Sequence, residues 1–115
     1  MGLAEKRKLP AIAHSRLAAS EMLDTLSSFN PPKVLLHWYD GPVENLKMIK
    51  DPGYLISVGP SLLYSRKMVE IARNAGIEII LSETDGPLSY HGPFEGRMTV
   101  PSLVIDVIRK LAEIK

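Results

Sequence analysis

Apolar residues in this chain come in short, nearly continuous runs divided by longer amphipathic stretches. Residues 9–14, 33–38, 54–58 and 77–84 read as four strands, because apolar runs of this length bounded by Pro, Gly or Asn are too short for helices. Over residues 17–29, Leu17, Met22, Leu23, Leu26 and Phe29 fall on one helical stripe, which Asn30-Pro31-Pro32 stops. Residues 42–50 predict a short helix ended by Asp51-Pro52-Gly53. Residues 61–75 predict a longer one, with a serine near its start and Gly76 at its end as cap residues. The segment 85–98 carries Gly86, Pro87, Gly92, Pro93 and Gly96 and reads as a long loop. Pro101 suits the first turn of a closing helix whose buried face is Val104, Val107, Ile108 and Leu111. Residues 1–8, ending in Lys6-Arg7-Lys8, read as the tail of a helix.

Strands therefore alternate with helices. Their apolar runs are continuous rather than alternating, as in a parallel sheet covered on both faces. Four consecutive βα units predict the α/β class, as a parallel sheet or as the (βα)4 half of a TIM-type (β/α)8 barrel. With 115 residues the chain is read as a single domain, 1–115.

The formal net charge of +1 gives no global field for a polyanion or a membrane, so such contacts must be local. No apolar run approaches the length of a membrane span, and the first residues do not form a signal peptide. Cysteine is absent, which removes disulfides and thiolate ligands. A cytoplasmic location fits by elimination.

Three side chains that suit a divalent metal stand where strand-like runs stop: His14, His37 and Asp85. Parallel strands joined by helices all open their C-terminal ends on one face, so two imidazoles and a carboxylate would meet there. Taken singly, each has an ordinary explanation: a half-buried histidine after a strand, or a turn at Asp85-Gly86-Pro87. The joint placement is what favours a metal site.

Four strings carry a resemblance. Ile12-Ala13-His14-Ser15-Arg16, His37-Trp38-Tyr39-Asp40-Gly41, Ser57-Val58-Gly59-Pro60-Ser61 and Leu81-Ser82-Glu83-Thr84-Asp85-Gly86-Pro87 resemble, in order and approximate spacing, the TatD family of metal-dependent deoxyribonucleases. Gly92-Pro93-Phe94-Glu95-Gly96-Arg97 is similar to a loop of its archaeal-type members. The resemblance implies a distorted (β/α)8 barrel with a metal site at its C-terminal mouth. It implies that His14 and His37 follow the fifth and sixth strands and hold one metal. It further implies that Asp85 follows the eighth strand, helps hold a second metal and, as the catalytic residue, orients the attacking water. The family's His-x-His pair and its bridging glutamate have no counterpart here. The chain thus looks like the C-terminal half of such an enzyme, beginning inside the fourth helix.

The chemistry so implied is hydrolysis of DNA phosphodiesters, with a divalent metal (zinc, manganese or magnesium) lowering the pKa of water and stabilising phosphoryl charge. Glu83, two residues before Asp85, should point to the same side and either orient a ligand histidine or form a plain salt bridge. Arg16 and Arg97 are candidates to grip phosphate, with Arg97 equally explicable as a solvated loop charge. Trp38 can stack on a base or pack beneath the rim. His91 reads as a surface loop histidine, and Arg66-Lys67 as an exposed helix face.

Four strands leave two apolar edges, at 9–14 and 77–82, and an open inner face, which predicts a homodimer or larger assembly. A twofold dimer would bring both copies of His14, His37 and Asp85 to one mouth. Two other readings stand beside the deoxyribonuclease: a non-catalytic, self-associating half-barrel, and a barrel hydrolase acting on a small phosphoester or amide.

Overall fold

The computed structural model describes residues 1–115. The chain runs α1 (Gly2–Arg7), β1 (Ala11–His14), α2 (Ala19–Leu26), β2 (Val34–His37), α3 (Leu46–Lys50), β3 (Leu55–Val58), α4 (Arg66–Asn74), β4 (Ile80–Ser82) and α5 (Val104–Ile114). The strands form one parallel sheet in the order β1-β2-β3-β4. Each strand is the sequence neighbour of the next, as right-handed βα units require when laid side by side.

One face of this sheet carries the core. Val34, Leu36, Ile56 and Val58 are fully buried there, under Leu23 and Leu26 of α2, Ile49 of α3, Ile71 and Ala72 of α4, and Val107 and Leu111 of α5. The other face is open. Ile12 is 74% exposed and Leu81 44%, while Leu35 and Leu55 are half-buried. The expected sheet covered on both faces is therefore covered by helices on one face only. The second face has the position of a barrel interior, and the chain places nothing over it but its upper rim.

Local differences from the sequence reading have physical causes. The helix expected over 61–75 is broken: Pro60–Leu63 is a 3₁₀ turn, and α4 starts afresh behind Ser65, whose Oγ accepts the Met68 N–H at 3.3 Å. A serine caps the helix as expected, but in its middle. Gly76 is not a left-handed cap, since α4 ends on extended Ala75 and Gly76 has φ −65°. The run 77–84 is strand only over Ile80–Ser82, because Ile77–Ile79 form a 3₁₀ turn. Leu17 leaves the α2 stripe; it sits at φ 59° and is 86% exposed. Ile108 of α5 is 51% exposed, so the buried stripe narrows to Val107 and Leu111, with Val104 half-buried. Pro101 does open the closing helix, in the 3₁₀ turn Pro101–Leu103 that leads into α5.

Candidate metal site at the strand ends

His14 and His37 are the last residues of β1 and β2, and the parallel register pairs them directly. Because side chains on one rung of a sheet point to the same side, the two imidazoles stand together, with ring centroids 5.3 Å apart and planes tilted by 46°. The backbone after β4 then delivers two carboxylates to His37. Glu83 Oε2 lies 2.7 Å from His37 Nδ1, and Asp85 Oδ2 lies 3.5 Å from Nε2. Glu83 and Asp85, expected to point to one side, approach the same ring, although the strand has already ended at Ser82.

This arrangement constrains the imidazole. A short bond to Glu83 commits Nδ1–H as a donor, which leaves a lone pair on Nε2 in neutral His37. That lone pair faces a carboxylate oxygen. Two acceptors turned toward one another leave a place for a cation between them. The spacing fits an ion: donors about 2.1 Å from a tetrahedral metal stand about 3.4 Å apart, against 3.5 Å between His37 Nε2 and Asp85 Oδ2. Glu83 in turn has one oxygen, Oε1, that is buried without a partner. Its negative charge is compensated at His37 alone among the hydrogen bonds of the carboxylate. Glu83 thus orients the His37 ring from one side while Asp85 faces its other nitrogen. No three His, Asp or Glu side chains form a ready metal-holding group, however, so the donor pair is set and His14 stands beside it.

A cleft of about 480 Å³ opens beside His37, lined by His14, Arg16, Trp38, Asp40, Asp85 and Ser89 among others, with His37 and Glu83 behind its wall. Arg16 is exposed on its wall, where an anion could be gripped. Trp38 does two things: it lines the cleft and it packs against buried Tyr90, with ring centroids 5.6 Å apart. Arg97 is not among the lining residues and lies over the Phe94 ring, 5.9 Å from its centroid. His91 is exposed in the same late loop, edge-on to Tyr64.

Several contributors had little or no signal in the sequence. Asp40 adds a carboxylate to the cleft three residues after His37, and a count of acids beyond each strand would have found it. Ser57, fully buried on β3, accepts the Trp38 N–H at 2.9 Å and lies 3.5 Å from His37 Nδ1. Tyr90, in the Gly/Pro-rich loop, donates its hydroxyl to the Thr84 carbonyl at 2.7 Å. Burial raises the Tyr90 phenol well above its ordinary pKa, and the charges of Asp85 and Glu83 add to that, so it stays a donor. Tyr39 is also pushed up, to about 12, chiefly by burial, and its hydroxyl donates to the Pro42 carbonyl.

A family model described as TatD related DNase matches residues 1–115. The chain is 27% identical to the uncharacterized metal-dependent hydrolase YabD of Bacillus subtilis, over 100% of this chain and 47% of that protein. It is 33% identical to human deoxyribonuclease TATDN3, over 74% of this chain and 31% of that protein. Among solved structures, the TatD homolog YjjV of Escherichia coli superposes with a TM-score of 0.88 at 26% identity, covering 98% of this chain and 45% of that one. The chain therefore spans about half the length, or less, of the relatives it matches, and its fold is the α/β, (βα)4 half of a TIM-type barrel.

Proposed function

Since this chain belongs to the TatD related DNase family, we propose that it supplies one half of the mouth of a metal-dependent hydrolase that cleaves DNA phosphodiester bonds. The observation that carries this reading is His37, held by Glu83 on one nitrogen and facing Asp85 with the other, beside His14 on the same rung. In this reading His14, His37 and Asp85 hold a divalent ion, of which zinc, manganese and magnesium are the candidates. The ion, when bound, would lower the pKa of water and offset charge on the phosphoryl oxygens.

The chain's own groups then divide the work. Glu83 fixes the His37 ring and its tautomer. Asp85, exposed at the rim, can accept a proton from water. Arg16 and Trp38 line the cleft where a phosphate and a base would enter. Arg97 would join them only if the late loop moved it from Phe94. A cytoplasmic setting is in keeping with a chain that has no cysteine, and no helix is long and apolar enough to cross a membrane.

A second reading has its own support. A single copy offers no ready three-donor group and leaves Ile12 and Leu81 exposed on its two edge strands. A second copy related by a twofold axis along the strands would pair β4 with the partner's β1 in parallel and cover the open face. The chain would then be a self-associating half-barrel whose mouth is shared by two copies.

Two measurements test the readings. Zinc or manganese titration with a nuclease assay on single-stranded DNA should show ion-dependent cleavage that Asp85→Asn abolishes; ion binding without cleavage would leave the half-barrel reading. Sedimentation should give a dimer that Leu81→Asp converts to monomer. A wild-type monomer at micromolar concentration rules out the dimer.

A further inference from the structure

We infer that Tyr90 is a positioning residue that locks the two strained backbone turns beside His37 and Asp85; the inference rests on the reading of that pair as an ion site. Trp38, the residue after His37, has φ 47°, and Asp85 itself has φ 49°. Side chains with a Cβ rarely adopt this left-handed region, and a bulky residue such as Trp is an outlier there. Such conformations persist where the surroundings over-determine them.

The surroundings here converge on one side chain. At the Trp38 turn, the backbone N–H is taken by Ser57 Oγ at 2.9 Å, and the indole packs on the Tyr90 ring at 5.6 Å with planes tilted by 45°. At the Asp85 turn, the preceding carbonyl, that of Thr84, accepts the Tyr90 hydroxyl at 2.7 Å. Tyr90 is itself 3% exposed and packs with Phe94 and Leu103, which root it in the start of the closing helix. One buried ring therefore bridges the end of β2 to the segment beyond β4.

The consequence is geometric. Thr84 lies between Glu83 and Asp85, the two carboxylates that flank His37. Rotation of the peptide that follows the Thr84 carbonyl would swing the Asp85 carboxylate away from Nε2. The Tyr90 hydroxyl opposes that rotation, and its ring holds Trp38 at the cleft wall. Tyr90 is not among the residues lining the cleft; it acts through the backbone of Trp38 and Asp85, which are.

Tyr90→Phe keeps the ring and removes only the hydroxyl, so the fold should survive. Three readouts decide the matter. In metal-free protein, the Leu88 amide, bonded to the Asp85 carbonyl at 3.2 Å, should exchange about fivefold to tenfold faster, while the amides of β3 are unchanged. Emission from Trp38, the single tryptophan, should be unchanged, because the ring contact remains. The zinc dissociation constant should rise by about the same fivefold to tenfold. Wild-type exchange at Leu88, or equal acceleration at Leu88 and β3, would overturn the inference; the second result would make Tyr90 a packing residue. If the wild-type chain binds no zinc, the ion-site reading fails, and the exchange comparison still decides the role of Tyr90.

Discussion

His14 and His37 are register partners on adjacent parallel strands, and their rings stand 5.3 Å apart at the same end of the sheet. The relationship makes one ring a neighbour of whatever the other holds, yet their supports differ. His37 is gripped by Glu83, whereas His14 is exposed. His37→Ala should therefore remove the ordered donor and cost more zinc affinity than His14→Ala. Calorimetric titration of both variants and of the double variant checks this, and additive losses would mean that the two rings do not share an ion.

Glu83→Gln tests the support of the His37 ring. Glutamine can still accept the Nδ1–H, but it lacks the charge that favours a cation-bound imidazole. The expected loss of zinc affinity is about 10–100-fold, with the far-ultraviolet circular dichroism unchanged. Equal affinity in the variant would reduce the 2.7 Å contact to a salt bridge of no consequence for the site.

The stability of the sheet rests on its centre. Ile56 of β3 is fully buried, with paired strands on both sides. Ile56→Ala should cost about 2–5 kcal/mol, from lost transfer energy and the cavity left behind. For a chain of this size that is a large part of the total, so a clear fall in the urea midpoint is expected. A change in midpoint too small to resolve would show that the helices can collapse onto the gap.

At the opposite end of the strands, Lys50 Nζ and Glu78 Oε1 are 2.8 Å apart, with both side chains more than half exposed. The hydrogen bond from Lys50 holds the Glu78 carboxyl below its ordinary pKa, and the same bond raises that of Lys50. A lowered carboxyl contributes stability above its unfolded pKa, and this is lost as pH falls through the lowered value. A raised ammonium contributes below its unfolded pKa, and this is lost as pH climbs through the raised value. Lys50→Met should thus lower the Tm slightly across the neutral range, with the gap closing in acid and in high salt. Melting curves from acid to alkaline pH would show this; a gap that widens in acid contradicts it.

The strand ends were legible because they need only a run of apolar residues and its last member. His14 and His37 fall on that last position, and Asp85 soon after it. Pairing within the site was legible only in part. Glu83 and Asp85 were placed on one side by a strand rule, and they do meet one ring, though through irregular backbone. The breaks were not legible. Residues 61–75 carry no helix breaker inside them, and the interruption at Tyr64-Ser65 comes from the 3₁₀ turn that Pro60 starts. The role of Tyr90 had no periodicity to announce it, since a loop rich in glycine and proline repeats nothing. Its importance lies in contacts to Trp38 and Thr84, which only the folded chain brings near.

β1 and β4 point the same way, at opposite margins of one sheet. Each margin is therefore the complement of the other, like the two ends of a clasp. Joining two such units head to tail would set the β1 margin of one against the β4 margin of the other.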